Sequence, residues 1–341
     1  MPETPRPDNP HGGPHHGGPG VVRPACGDQC RCSRAQRSAS DLDTLLATPG
    51  FHGSLISSDI TEVAGRMPSL EQVVGVTVAG PVLMNDVGTH ETPAEIGGPI
   101  RCRPSRITLR INPVRLGAAL VTEPAAHVPP TLRLFDADGN TAHATYLTEH
   151  SDRLAFESLT LRASTETMER PPLPDPEFGR FPGLRHDPDE PANDQIAQFD
   201  SILDDGGVGR RSGFAALADD GVTRVESRRV IAAFEHAALL GMSMTTTTAA
   251  PGCLQMRHDQ LDGAREHRGS MVIASGSCRT MINFNLVDQC WVTWSDGAWG
   301  RTGSIELYDR HGRCSLVATQ TGSVSAETFE AWNQLMSDVA A

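Results

Sequence analysis

The chain contains no lysine; all 29 of its basic residues are arginine. That absence removes the Schiff-base lysine and the phosphate-loop lysine, and with them the enzyme classes that depend on either. Every cationic anchor must be a guanidinium, whose planar fork suits two-point contact with a carboxylate. Aromatic residues are scarce, at 5%, which is thin for a stacked pocket around a large flat ligand. Long apolar runs are missing too. The nearest to one, residues 73–84, is too short for a spanning helix, which needs roughly 20 residues. Its Gly80-Pro81 pair instead predicts a strand broken by a turn. Membrane insertion is therefore not expected. No basic region followed by an apolar one opens the sequence, so a cytoplasmic location is expected. A net charge of −13 speaks against a nucleic-acid partner, which requires a basic face. The His-Glu-x-x-His helix, the paired Cys-x-x-Cys, the Gly-x-Ser-x-Gly elbow and the dinucleotide fingerprint are all absent. Eight cysteines in 341 residues do not require a disulfide framework, and in the cytosol they are expected to be reduced.

What is present is organised in halves. Residues 1–38 are rich in Pro, Gly and His and cannot bury enough apolar surface to offset their ordering entropy, so a disordered tail is expected. Residues 166–194 read as a Pro-rich linker. Two bodies remain, 39–165 and 195–341. Each carries the same hairpin near its end: "TLRLFDADGNTAHATYL" at 131–147 and "SIELYDRHGRCSLVATQ" at 304–320. Leu132 and Leu134 answer to Ile305 and Leu307, Phe135 to Tyr308, Asp136 to Asp309 and Gly139 to Gly312, at a constant offset of 173 residues (304 − 131). Alternation, an Asp-x-x-Gly turn and a return strand predict a β-hairpin in both. A β-rich segment precedes each hairpin and a helix-like stretch follows it. The order predicts a tandem duplication of one α+β unit: two similar lobes, each an antiparallel sheet flanked by helices. Thr223 with Glu226 resembles a capping box, Gly241 marks the end of that helix, and Val230, Ile231, Phe234, Ala237 and Ala238 form its apolar face with His236 outside it. Ser40 with Asp43 and Ser69 with Gln72 predict further helix starts.

Several side chains could carry chemistry. His11, His15, His16, Cys26, Cys30 and Cys32 would suit a soft or borderline metal, although their spacing fits no standard zinc module. Cys253 and His258 lie five residues apart near a predicted strand. Either could coordinate iron; equally, the first could be a small buried hydrophobe and the second a solvated loop residue. His90 and Glu91 stand at a strand start, as a surface pair or as part of a site. Arg110 lies in the alternating segment 107–111 on the same face as Thr108, and either faces solvent or projects into a cleft between the lobes.

The stretches "MNDVGTHE" (84–91), "TLRI" (108–111), "LRLFDADGNTAHATYLTEHSDRLAF" (132–156), "PGCLQ" (251–255), "INFNLVDQCWV" (282–292) and "SIELYDRHG" (304–312), in that order, resemble the cytoplasmic haemin-transport and haem-degrading protein family, HemS/HmuS-like. The resemblance runs from Ser40 to the C-terminus, broken at the linker. It implies a haem (heme) site between the lobes, held by a histidine at the start of the second lobe and an arginine from a first-lobe strand. Arg110 matches that arginine, with His90 as a second first-lobe residue at the haem. Ala197 falls at the histidine position and Asp200 replaces a family phenylalanine; Met84 stands where the family has arginine. The iron donor is then expected from His186, His258 or Cys253. The implied function is haem trafficking or utilisation, extending to oxidative haem degradation if the chain is an enzyme. The implied protein partner is a haem importer or a haem oxygenase. The alternative is a descendant that has lost its iron ligand and serves as an interaction or regulatory module.

Overall fold

A computed structural model describes residues 39–57, 59–125, 127–161, 194–215, 221–322 and 324–341. The tail, His186 and the linker up to residue 193 lie outside the described residues. The first repeat runs α1 (Asp41–Ala47), β1 (Gly53–Ser57), α2 (Ile60–Arg66), β2 (Glu71–Ala79), β3 (Val82–His90), β4 (Ala94–Glu95), β5 (Arg106–Ile111), β6 (Leu116–Thr122), β7 (Thr131–Asp136), β8 (Thr141–Ser151) and α3 (Arg153–Leu161). The second runs α4 (Gln195–Asp205), α5 (Val208–Gly213), β9 (Thr223–Val225), α6 (Ser227–Leu239), β10 (Ser243–Ala250), β11 (Cys253–Gln260), β12 (Gly263–His267), β13 (Ser270–Ser275), β14 (Cys278–Asn283), β15 (Val287–Gly297), β16 (Gly300–Asp309), β17 (Cys314–Thr319) and α7 (Ala326–Ala340). Among the described residues no helix is long and apolar enough to cross a membrane.

Local signals are honoured where no ladder competes with them. Gly80-Pro81 divides residues 73–84 into β2 and β3. Ser40 caps α1 by accepting from the Asp43 amide at 3.1 Å, and Gly241, at φ 59°, ends α6 in the left-handed region. Two expected helix starts fail for a shared reason. Thr223 pairs with Val292 in the β9–β15 ladder, so α6 begins only at Ser227, with Glu226 as an N-cap that makes no side-chain bond. Ser69 sits in a short 3₁₀ turn, its hydroxyl bonded back to Arg66 O at 2.7 Å, and Glu71 already opens β2. In each case a strand pairing satisfies several backbone groups, against the one that a cap would satisfy.

The 17 strands form one continuous sheet of two halves. One half has the order β1-β6-β7-β8-β2-β3-β14-β13-β12. The other has β9-β15-β16-β17-β10-β11-β5-β4. Each repeat thus lends strands to its twin. β5 of the first adds to β11 of the second, with Ile111 opposite Cys253, and β14 of the second adds to β3 of the first, with Ile282 opposite Val82. Both partners shift by the same 171 residues (282 − 111 and 253 − 82), so the two crossings are one contact written twice. The hairpins keep equal register as well: Arg133 faces Ala144 and Glu306 faces Val317. The exchange knits residues 39–341 into a single unit, an α+β fold of duplicated, antiparallel lobes.

Helices close the outer ends. α7 lies directly on β16 because Gly303 leaves room: a Cβ there would stand 2.6 Å from Met336. The approach buries Trp332 completely and lets its Nε1 donate to Gly303 O at 2.8 Å. α6 presents Val230, Ala233, Phe234 and Ala237 to the same core, while His236 is exposed, as its position off the apolar face predicts.

Candidate functional site

On the outer face of the second half-sheet, under α4 and α5, charged and apolar side chains are buried together. α4 is defined at both ends: Asp194 caps it by accepting from the Ala197 amide at 2.5 Å, and Gly206, at φ 73°, ends it. Between these ends Phe199, Ile202 and Leu203 point down onto Leu254, Met256 and Val317. Asp200 occupies the next position round the helix and meets Arg110.

Arg110 faces neither solvent nor an open cleft. It is 1% exposed. Its Nε donates to Asp200 Oδ1 at 2.7 Å, its Nη2 bonds the same oxygen, and its Nη1 donates to Gly98 O at 2.9 Å. Asp200 Oδ2 accepts from the Gly97 amide at 2.8 Å, so one carboxylate clamps the β4–β5 loop, β5 and α4 together. Removing it leaves a buried guanidinium with only the loop carbonyls as partners. Asp200→Ala is therefore expected to destabilise the chain by about 3 kcal/mol, read as a shift in the urea unfolding midpoint. A change under about 1 kcal/mol would show that water reaches Arg110 and the clamp is not closed.

A second ion pair lies under α5. Glu306 is fully buried and binds Arg210 Nη2 at 2.8 Å, Gln198 Nε2 at 2.7 Å, Thr293 Oγ1 at 2.6 Å and the Tyr308 hydroxyl at 2.6 Å. Burial pushes its carboxyl up, but the Arg210 guanidinium and the bonds from Thr293 and Tyr308 outweigh it and hold the carboxyl below the usual range. The Tyr308 phenol is pushed far up by burial and by the neighbouring Glu306, so it stays a donor. Sequence reading missed this cluster. Its one signal was a glutamate between Ile305 and Leu307 in a strand that otherwise reads as core.

The expected site residues do not converge. His90 is 2% exposed and points inward, between the half-sheets. Its Nε2 bonds Thr145 Oγ1 at 3.0 Å, and its ring stands edge-on to His143 at 5.3 Å. Burial, followed by the neighbouring imidazole, holds His90 well below the usual histidine range. Glu91 points elsewhere, accepting from Thr108 at 3.0 Å, so the two are not a surface pair. Cys253 is packed in the first repeat's apolar core, where burial pushes its thiol up to about 12 and no thiolate is presented. His258 shares a face with Arg110 but lies four residues along β11 from Leu254, the residue opposite Arg110; that is about 13 Å. It bonds Thr245 Oγ1 at 2.9 Å and is 4% exposed, so it is not a solvated loop residue. His186 lies outside the described residues. Among the described residues no cluster of three or more His, Cys, Asp or Glu could hold a metal ion.

Two copies of one α+β unit locked by exchanged strands define a two-lobed fold, and known proteins resemble it. Residues 207–339 match the haemin-degrading HemS.ChuX domain. The hemin transport protein HmuS of Yersinia pestis is 21% identical over 301 residues, 83% of this chain and 87% of that protein. The heme degrading enzyme ChuS of Escherichia coli O157:H7 superposes with a TM-score of 0.68 at 18% identity, over 85% of this chain and 87% of that one. The heme-binding protein PhuS of Pseudomonas aeruginosa does so with 0.62 at 16%, over 85% and 87%. The matched domain is seated on the second repeat, and the two-lobed fold is the one these solved structures share. At the position that the resemblance gives to the haem, the residues present do not fit one: Ala197 offers no donor, and every Arg110 nitrogen is already bonded to Asp200 or to the β4–β5 loop.

Proposed function

We propose that the chain binds haem and serves its trafficking or utilisation. The observation that carries this reading is the haemin-degrading domain match over residues 207–339, set in a two-lobed fold shared over 85% of the chain with ChuS. An interaction module that has abandoned haem is the less favoured reading, because relatives whose names concern haemin or haem span nearly the whole chain. A cytoplasmic site of action and a haem importer or haem oxygenase as protein partner belong to the same proposal. A protein that only carries haem needs orientation and shielding from water, which the duplicated scaffold can supply; any oxidative chemistry would be that of the haem iron.

Haemin titrated into the purified full chain is expected to give a saturable change in its Soret absorption with an end point at one haem per chain. A linear, non-saturating change, such as free haemin shows, would overturn the proposal.

A further inference from the structure

The two repeats differ in how they treat one face. On the second half-sheet, α4 and α5 cover the outer side and supply Arg210 and Gln198 to Glu306. The equivalent position in the first repeat is Arg133, set opposite Ala144 as Glu306 is set opposite Val317. No helix of the described residues supplies it with a partner, and its Nε is buried without one. Among the described residues no helix covers the face around it, which mixes apolar and polar side chains. Val76 and Val78 project from β2, with Val78 51% exposed. A cavity of about 470 Å³ lies there, lined by these valines, Ala144, Arg133, Tyr146 and, from the second repeat, Arg313. That volume lies within the range of small-molecule sites.

Tyr146 and Arg133 form a pair on this face. The guanidinium Nη2 stands 3.4 Å from the phenol oxygen, and its carbon lies 5.8 Å from the ring centroid. The carboxylates at the rim are engaged by turn amides: Asp136 by Asn140 at 2.8 Å, Asp309 by His311 at 2.8 Å and Asp41 by Thr141 at 2.9 Å. The cavity therefore offers an apolar floor, two guanidinium groups and one phenol oxygen. The two guanidinium groups suit a ligand with carboxylates, and a phenol oxygen can serve as donor to a ferric ion.

We propose that ferric haem binds in this cavity, with the Tyr146 oxygen as its iron donor, Arg133 beside that oxygen and Arg313 facing a carboxylate. The inference rests on the haem-binding reading above and moves the site from the junction of β5 and α4, where Asp200 closes the family position, to the outer face of the first repeat. Phenolate is an established haem-iron donor. Tyr146 would hold the iron as phenolate, its proton released to bulk water on binding. Arg133, 3.4 Å from that oxygen, would favour its deprotonated form.

The test is a haemin titration of full-length wild type, Tyr146→Phe and Tyr146→His, with the thermal unfolding midpoint of each as a folding control. Tyr146→Phe keeps the ring and is expected to keep the midpoint. It should lose the phenolate-to-iron charge-transfer absorption in the visible and at least tenfold in affinity. Tyr146→His should recover affinity with an imidazole-type spectrum. Saturable binding whose spectrum and affinity are unchanged in Tyr146→Phe would overturn this site while leaving haem binding in place. Wild type that is folded yet binds no haemin would remove the functional reading, and this site with it.

Discussion

Arg257→Met is expected to lower the free energy of unfolding by about 3–5 kcal/mol. Arg257 and Asp86 have side chains 2% and 1% exposed and meet at 3.1 Å. Asp86 also accepts from Ser277 at 2.9 Å, and Arg257 donates to Asp259 at 2.8 Å. The two are the same position in the two repeats (257 − 86 is again 171). The pair therefore straddles the axis that relates the repeats, where a symmetric dimer of identical units would set like charge against like. Duplication within one chain allows the position to become acid in one copy and base in the other. Losing one partner strands a charge where water cannot reach it. Replacing both, in Asp86→Leu with Arg257→Met, removes the stranded charge, and Asp259, at 27% exposure, can turn to solvent. The double variant is expected to recover at least half of the loss, as read from urea unfolding curves. A double variant as unstable as the single would show that the loss comes from packing and not from charge.

Acid is expected to destabilise the chain through His143. Its ring is fully buried between the half-sheets, bonded to Thr77 Oγ1 at 2.8 Å, and burial lowers its pKa to about 3. The unfolded chain takes up a proton on this residue near pH 6.5, but the folded chain does so only near 3. The stabilising effect is complete above pH 6.5. Below that the unfolded state binds more protons, and stability falls by about 1.4 kcal/mol per pH unit until the folded value is reached. By pH 5 the loss from His143 alone is about 2 kcal/mol. His90, also shifted downward, adds in the same direction. His143→Gln retains a hydrogen-bonding partner for Thr77 but cannot titrate. Its unfolding midpoint should change less between pH 7.5 and pH 5 than that of the wild type, and equal pH dependence in the two would exclude His143 as the source.

Repeating elements were legible in the sequence because a hairpin is a local event. Alternation over a few residues and an Asp-x-x-Gly turn specify it wherever it is placed, and two copies at one offset announce a duplication. The Gly80-Pro81 break and the Ser40 cap were legible for the same reason. Thr223 and Ser69 misled because a strand partner far along the chain claims the backbone groups that a cap would otherwise satisfy. Arg110 was identifiable as a residue of interest, yet its alternatives of solvent or open cleft both failed. Its partner Asp200 lies 90 residues away, and no spacing rule joins them. Glu306 was overlooked for the converse reason: a single glutamate in a strand carries no sign of the four residues that converge on it.

By itself the sequence determined that an α+β unit occurs twice, that arginine carries all fixed positive charge, and where the repeated hairpins fall, since a hairpin depends on neighbours within a few residues. Only the tertiary structure decided that β5 and β14 trade places between the repeats, that Asp86 finds Arg257 on the axis, and that one outer face is sealed by α4 while the other stays open. Those outcomes depend on which surfaces meet after the chain has folded back on itself. The partners are separated by tens to hundreds of residues, and burial, absent from any local pattern, sets the energy of each contact.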